Sequence, residues 1–175
     1  MPRYYTYLIS SLPYLQFDRE PPFSFSSFLE RCKDFISDKE IFLLKMAGER
    51  EPKLSEIKQP TLKSYFLFEI ALRDELVKLR ALRRKEEPEK YLRKSDYVLS
   101  LHLINSIIQA FKNPAILEAE RNLDILRWNF LEELERGHYF DFDFLVVYAF
   151  KLLILERWEK VKRADKEAIL EKLFK

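Results

Sequence analysis

Apolar residues recur at helical spacing at the start of the chain, but the first run is short because Pro13 interrupts it. Offsets of three and four residues favour an α-helix there. Tyr5, Tyr7 and Ile9 also alternate with other residues, and this pattern favours a short strand as the alternative. The residues with the helical spacing are Tyr4, Tyr7, Leu8 and Leu12.

Two signatures of a helix start follow within the first fifty residues. Ser27 with Glu30 and Ser37 with Glu40 have the spacing of a capping box, in which the two side chains satisfy free backbone N–H groups of the first turn. Each box predicts a short helix. Gly48 suits the left-handed position that commonly follows a helix end.

Longer helical runs follow residue 60, where proline becomes rare. Thr61 caps a predicted helix over residues 62–86, and Ser95 caps the next one, which reaches about Phe111. The last three predicted helices run from Asn113-Pro114 to Gly137, from Asp141 or Asp143 to about Arg163, and from Asp165 to about Leu173.

The whole pattern predicts an all-α fold, a multi-helix bundle of about six to eight helices. We expect a single domain over residues 1–175, with short helices and loops over 1–60 and long helices over 61–175. A charged tip at about 78–94 joins two of the long helices, and it predicts a protruding helical hairpin at about 75–95.

Glycine supplies only two of the 175 residues, Gly48 and Gly137, whereas a typical soluble chain of this length has about a dozen. Loops that hold phosphates need several glycines at fixed spacing, so the composition excludes a dinucleotide fingerprint and a Walker loop. Tight hairpin turns also favour glycine, which argues against a many-stranded sandwich.

The residue types that carry most enzyme chemistry are scarce. Cys32 is the single cysteine, so no disulfide forms within the chain, and neither His102 nor His138 lies in a zinc-binding motif. We expect His138, in the turn after Gly137, to contact a backbone carbonyl. The sequence therefore predicts a protein that is not an enzyme, with no catalytic residues, no cofactor and no metal.

The single cysteine, the N-terminus and the length of the apolar runs predict a cytoplasmic protein. The formal net charge is +2, so attraction of the whole chain to nucleic acid or anionic lipid is weak. The N-terminus lacks the pattern of a signal peptide. The longest apolar stretch, Phe144–Leu155, contains Lys151 and is shorter than the roughly 20 residues that a membrane span needs.

The segment from Lys78 to Lys94 is strongly basic, with eight Lys or Arg residues against three glutamates. One interpretation is a surface that binds a partner, with a phosphate backbone as one option. The other is a solvated turn between two antiparallel helices. The candidate partner-binding residues are Arg80, Arg83, Arg84 and Lys85.

Two acids and a lysine fall on apolar helix faces late in the chain. Glu120 and Asp124 share a face with Trp128, because offsets of four residues align on a helix. Lys151 lies within the apolar run of the following helix. Since an unpaired buried charge costs several kcal/mol, we expect these groups to pair between neighbouring helices or to reach water. A catalytic carboxylate pair is the less favoured alternative.

Four motifs follow one another in this region: Glu120-x-x-Leu123-Asp124, Leu131-Glu132, Asp141-x-Asp143-Phe144-Leu145 and Tyr148-x-x-Lys151-Leu152-x-Ile154-x-x-Arg157. Together they resemble the C subunit of V-type ATPases, which is named d in eukaryotes. That family carries an acid-x-x-Leu-Asp motif, an acidic turn, and then a helix with Ile-Asp-x-x-Asn and an arginine. This chain lacks the Asp and Asn of the last helix and keeps its hydrophobic frame and Arg157.

Three longer pieces carry a closer resemblance. They are Tyr4-Tyr5-x-Tyr7-Leu8-x-x-Ser11-Leu12-Pro13-x-Leu15, the helix from Leu72-Arg73 to Arg80-Ala81, and Leu126-x-Trp128 through Tyr148 to Arg157-Trp158. They resemble a small uncharacterised bacterial family whose members are encoded among V-type ATPase subunits.

The resemblance implies a non-catalytic part of a rotary ATPase or ATP synthase, similar to the C subunit and peripheral at the inner face of the membrane. Such a protein couples the central stalk to the membrane rotor ring and transmits torque. The basic tip would contact an acidic partner, and Glu120 and Asp124 with Lys151 and Arg157 would hold adjacent helices at a fixed angle. The alternative is a helical adaptor or nucleic-acid-binding protein that uses the segment 78–94, although the interrupting acids argue against nucleic acid.

Overall fold

The computed structural model describes the backbone of residues 5–49, 52–93 and 96–173, and the side chains as far as residue 164. The described residues form seven α-helices, short 3-10 turns at Leu54–Glu56 and Pro88–Lys90, and loops, without a strand. The all-α prediction is confirmed, and the first apolar run is helical rather than extended. The helices are α1 (Thr6–Ser11), α2 (Phe25–Lys33), α3 (Asp38–Met46), α4 (Pro60–Arg84), α5 (Leu101–Lys112), α6 (Ile116–Glu135) and α7 (Phe142–Leu173).

The chain divides into two compact units. The terminal unit comprises Met1–Pro52 and Leu134–Lys175, and the middle unit comprises Lys53–Glu133. The terminal unit therefore contains α1, α2, α3 and α7, whereas the middle unit contains α4, α5 and all of α6 except its last two residues. The single domain and the protruding hairpin expected from the sequence stay predictions.

The core of the terminal unit forms around the apolar run of α7. Residues 145–152 are all buried, so this part of the helix is covered on every side over about two turns. α2 and α3 pack against α7, and the buried Phe28 of α2 sets its ring 5.2 Å from that of Tyr148. No helix in the described part of the chain combines the length and the apolarity that crossing a membrane requires.

The core of the middle unit forms along α4, which packs against α5. Phe68 of α4 and Phe130 of α6 stack with their ring centroids 4.1 Å apart. Tyr97, in the loop before α5, meets both of these rings edge-on. Stacked and edge-to-face arrangements are the favoured geometries of aromatic pairs, so this cluster ties α4 to α6 and to the loop before α5.

Two predicted helix starts are displaced because a residue earlier in the chain is the N-cap. α2 begins after Ser24 rather than Ser27, since the Ser24 hydroxyl accepts a hydrogen bond from the backbone N–H of Ser27 at 3.1 Å. α4 begins after Gln59 rather than Thr61, since the side chain of Gln59 accepts from a backbone N–H of the first turn.

The capping box at the start of α3 is confirmed, whereas α5 begins later than predicted. The backbone N–H of Ser37 donates to the Glu40 carboxylate at 2.8 Å. Residues 96–100 are not helical, and α5 begins after Ser100, whose hydroxyl accepts from the backbone N–H of Leu103. The predicted cap Ser95 lies outside the described residues.

Two predictions about helix ends are contradicted by the backbone. Gly48 does not adopt the left-handed conformation, which instead occurs at Lys85 (φ 59°) after α4 and at Gly137 (φ 88°) after α6. The separate last helix is wrong, because α7 continues through Asp165 to Leu173. This stretch contains neither glycine nor proline, so nothing in the backbone interrupts the helix.

Candidate partner-binding surface

Four basic side chains lie at the end of α4, and we call them the basic cluster. Arg80, Arg83 and Arg84 are exposed on the helix, and the exposed Lys85 follows them in the left-handed conformation. Helical offsets of three and four residues place Arg83 and Arg84 next to Arg80. The structure therefore brings together all four residues that the sequence predicts for partner binding.

The two cations in the middle of α4, Arg73 and Lys78, are paired with acids of the same helix. Arg73 donates to Glu69 at 2.9 Å, and Lys78 donates to Glu75 at 3.0 Å. In each pair the acid lies three or four residues before the cation, where helix geometry brings the two side chains within reach.

The basic cluster has no acid at these positions. Among the described residues, none forms a side-chain hydrogen bond or ion pair with the cluster. The residues three and four positions before each arginine are Leu, Val, Ala or Arg, and Glu86 and Glu87 come only after the helix has ended. The negative end of the helix dipole favours Arg83 and Arg84 by a few tenths of a kcal/mol, but Arg80 lies one turn further back.

Two grooves of the middle unit meet at Arg80. The first, which we call the α4–α6 groove, has a volume of about 700 Å³ and lies between the ends of α4 and α5 and the start of α6. Arg83 also lines this groove. The second, the loop groove, has a volume of about 290 Å³ and is lined by Arg84 and by Tyr91 of the following loop. The basic cluster therefore borders concave surface on two sides.

A buried charge cluster joins α4 to α6 inside the middle unit. Arg127 donates to both carboxylate oxygens of Glu69, at 2.8 and 3.1 Å, and to Asp124 at 2.8 Å. The Asp124 side chain is fully buried, and those of Arg127 and Glu69 are 11% and 12% exposed. The two-bond geometry between Arg127 and Glu69 is the strongest and most directional form of such a pair.

The pKa values within this cluster follow from burial and from the guanidinium groups. Burial by itself raises the pKa of Glu69, but Arg127 and Arg73 overcome that effect and hold the pKa of this carboxyl below its usual range. Burial by itself lowers the pKa of Arg127, and the Glu69 carboxylate more than reverses it. Both groups therefore keep their charges inside the middle unit.

The four residues predicted to form a charge network have different surroundings. Asp124 belongs to the buried charge cluster, and Lys151 is buried in the terminal unit, where it donates to Glu135. Glu120 is exposed and lines the α4–α6 groove, and Arg157 is exposed on α7. A single network that joins all four residues stays a prediction.

A small cavity of about 120 Å³ in the terminal unit is lined by polar side chains that are already engaged, Glu135, Tyr148 and Lys151. The Tyr148 hydroxyl donates to the carbonyl oxygen of Pro13 at 3.0 Å, and Lys151 donates to Glu135. Burial also raises the pKa of the Tyr148 hydroxyl. The first hydrogen bond ties the chain after α1 to α7 and the second ties the end of α6 to α7, so both have a structural role in the terminal unit.

The turn between α6 and α7 brings together His138, Asp141 and Asp143. Each offers an atom within 4.8 Å of the others, so the group can hold a metal ion, although the positive end of the α7 dipole opposes a cation there. Asp141 is already engaged, because one oxygen accepts from the backbone N–H of Phe144 at 3.2 Å and the other contacts His138 Nδ1 at 2.6 Å. The partner of His138 is thus a carboxylate rather than the expected backbone carbonyl, and this hydrogen bond raises the pKa of His138.

Comparison with known proteins gives one match. Residues 92–175, from the loop before α5 through α7, match the model of a family described as "Protein of unknown function (DUF2764)". The matched segment is slightly less than half of the chain. No curated protein and no solved structure is significantly similar to the chain. The match relates α5, α6 and α7 to that family without assigning an activity, and α4 with the basic cluster lies before the matched segment.

Proposed function

We propose that the chain is a non-catalytic component of a V-type rotary ATPase, similar to its C subunit, that couples the central stalk to the membrane rotor ring. One observation carries the partner-binding part of this proposal. The two cations in the middle of α4, Arg73 and Lys78, form ion pairs within the helix, whereas the four residues of the basic cluster form no ion pair with any described residue. The resemblance to proteins encoded with V-type ATPase subunits supplies the identity of the partner.

The charge distribution supports an acidic protein partner for the basic cluster. The net charge of the whole chain is only +2, so its attraction to an anionic surface comes mainly from local clusters. Exposed charges of one sign speed association with a surface of the opposite sign and exclude wrong partners. The protein would then be held at the inner face of the membrane through the ATPase complex, on its cytoplasmic side.

The helical construction suits a part that transmits force. α4 has 25 residues, which corresponds to about 38 Å along its axis. Arg127 of α6 is linked to α4 through Glu69 inside the middle unit, and Asp124 of α6 also accepts a hydrogen bond from Arg127. A long helix cross-linked by buried, directional hydrogen bonds resists bending and sliding better than an apolar contact of the same size.

Copurification tests the proposal. A tagged full-length chain is recovered from its own cells after gentle lysis, and the associated proteins are identified by mass spectrometry. The test variant replaces Arg80, Arg83 and Arg84 with alanine. The matched control replaces Lys63, Arg73 and Lys78, three exposed cations of the same helix.

We expect the wild-type chain and the control to recover the central-stalk subunits, and the test variant to lose them. Three exposed ion pairs at about 0.5–1 kcal/mol each amount to about a tenfold loss of affinity or more. Recovery of the wild-type chain without any ATPase subunit would refute the proposed function.

A nucleic-acid-binding protein is the second candidate, because Tyr91 is 57% exposed in the loop groove beside Arg80 and Arg84. An exposed aromatic ring between arginines can stack on an unpaired base. This function requires binding of a labelled oligonucleotide that weakens steeply with salt, with a slope that becomes shallower in the arginine variant. No binding at low salt removes this candidate.

A further inference from the structure

The α4–α6 groove has a floor and a rim of different chemistry. Its floor is apolar and buried, with Leu76 8%, Ala110 1% and Leu123 4% exposed. At the rim, Ile116 is apolar as well but 78% exposed. Apolar surface therefore continues from the core of the middle unit out to solvent at this groove, which is typical of a binding site.

The charged residues of the groove are predominantly basic. Arg80, Arg83 and Lys112 face a single acid, Glu120. Within the described part of the chain these four side chains form no hydrogen bonds and no ion pairs. The groove therefore combines an apolar floor with cations that are not neutralised, and an occupant that complements it has an apolar centre and acidic flanks.

We propose that the α4–α6 groove binds one amphipathic α-helix of a partner protein, with the apolar face of that helix on the floor and its acidic residues against Arg80, Arg83 and Lys112. This inference rests on the proposed function, in which the end of α4 meets an acidic partner, and it names the form of that partner.

The walls of the groove favour a helix over an extended peptide. All three walls are helices, and the described residues contain no sheet edge to which a peptide strand can add. Side chains of a bound helix enter a groove between helices at offsets of three, four and seven residues, as ridges pack into grooves. A volume of about 700 Å³ accommodates the side chains of such a face.

The test measures binding of a labelled synthetic peptide to the purified full-length chain by fluorescence anisotropy. The peptide has about four helical turns, with leucine on one face and glutamate on both flanks. A scrambled peptide of the same composition separates helix recognition from attraction by charge. A lysine-flanked version, in which every glutamate is replaced, reports the sign preference of the groove.

Two variants and two matched controls locate the site. Ile116→Glu places a negative charge at the rim, which repels an acidic peptide. Its control is Leu117→Glu, because Leu117 is an exposed apolar neighbour that does not line the groove. Arg83→Glu reverses a rim charge, and its control is Lys63→Glu, an exposed cation of the same helix. Lys63 lies about 30 Å along α4 from Arg83.

We expect saturable binding of the acidic amphipathic peptide, and much weaker binding of the scrambled and lysine-flanked peptides. Ile116→Glu and Arg83→Glu should each weaken it by about tenfold, while both controls bind as the wild-type chain does. Glutamate is favourable in the first turn of a helix, so neither substitution in α6 should reduce folding, which circular dichroism verifies.

Three outcomes overturn the inference: equal binding of the scrambled peptide, equal loss in the control variants, or displacement of the peptide by a single-stranded oligonucleotide that binds more tightly. Copurification of Ile116→Glu separates this inference from the proposed function. If the stalk subunits still copurify with Ile116→Glu, the groove is not the contact and the proposed ATPase role is unaffected. If the peptide binds but no ATPase subunit copurifies with the wild-type chain, the ATPase role is wrong and the groove proposal is supported.

Discussion

Arg127 is the cation on which the buried charge cluster of the middle unit depends. Arg127→Met keeps an unbranched apolar side chain of similar length but removes the charge and three hydrogen bonds to Glu69 and Asp124. Removing one partner of a buried ion pair costs about 3–5 kcal/mol, because the opposite charge stays buried with less compensation. The free energy of unfolding of a typical domain is about 5–15 kcal/mol, so this loss is a large fraction of the total stability.

Arg73→Met is the matched control for this substitution. Arg73 also pairs with Glu69, but its side chain is 45% exposed, whereas that of Arg127 is 11% exposed. Pairs that face solvent contribute about 1 kcal/mol or less. The same substitution opposite the same carboxylate therefore compares the loss of a buried cation, with three hydrogen bonds, with the loss of a half-exposed cation that makes one.

Urea unfolding followed by circular dichroism measures both variants. With a slope of about 2 kcal/mol per molar urea, Arg127→Met should lower the midpoint by about 1.5–2.5 M, and Arg73→Met by less than about 0.5 M. If the urea midpoints of Arg127→Met and Arg73→Met differ by less than about 0.5 M, the buried charge cluster contributes little to the stability of the chain.

The pH dependence of the same measurement gives a second check. In the wild-type chain the pKa of Glu69 is lowered on folding, so its contribution is present above the unfolded pKa of about 4.3 and is lost as the pH falls through the folded pKa. In Arg127→Met burial acts with less opposition and raises this pKa, so the penalty is full at pH 7 and disappears near pH 4. The difference between the two proteins should therefore narrow on acidification, and a constant difference contradicts the assignment.

Two further predictions concern the turns. Asp141→Asn keeps an N-cap but removes the charge beside His138, whose pKa is raised in the folded chain. The stability that this pair contributes is present below the unfolded pKa of about 6.5 and is lost as the pH rises through the folded pKa. The variant should therefore lose more stability at about pH 6 than at about pH 8, and NMR follows the pKa of His138. Gly137→Ala should cost about 1 kcal/mol in thermal unfolding, because its φ is 88° although an added Cβ meets nothing within 4 Å, whereas Gly48→Ala, which lacks a positive φ, should be close to neutral.

Much of the fold is predictable because helical periodicity is a local property of the chain. Caps are less certain, because neighbouring polar residues compete for the same role. Ser24 and Ser27 both suit an N-cap, and the structure uses Ser24. Gly48 and Lys85 show the same limit at helix ends, since a lysine adopts the left-handed conformation and the glycine does not. Such choices depend on packing around the turn, which a sequence pattern does not contain.

The basic cluster is also predictable, because its four members are neighbours in sequence. What the sequence does not indicate is that they lack acidic partners, which follows from where α4 ends relative to Glu86 and Glu87. The α4–α6 groove is harder still to predict from the sequence, because its walls come from three helices and the packing of those helices sets the width of the groove.

The pairing of Glu69 with Arg127 is beyond sequence analysis, since 58 residues separate the two. Asp124 is a candidate from sequence because it is an acid on an apolar face. Arg121 and Arg127 both lie three residues from it, so the sequence does not identify which of them is its partner. Selecting Glu69 among the acids of α4 requires knowing which face of that helix meets α6.

By itself, the sequence determined that this protein is all-helical, because apolar residues repeat at helical spacing and only two glycines occur. It also determined that cations gather at the end of one long helix. The tertiary structure decided which charges are neutralised and which face solvent, since ion pairing depends on the distance between side chains. That difference separates Arg127, which is buried and paired with Glu69 and Asp124, from Arg80, Arg83 and Arg84, which are exposed and form no ion pair with the described residues.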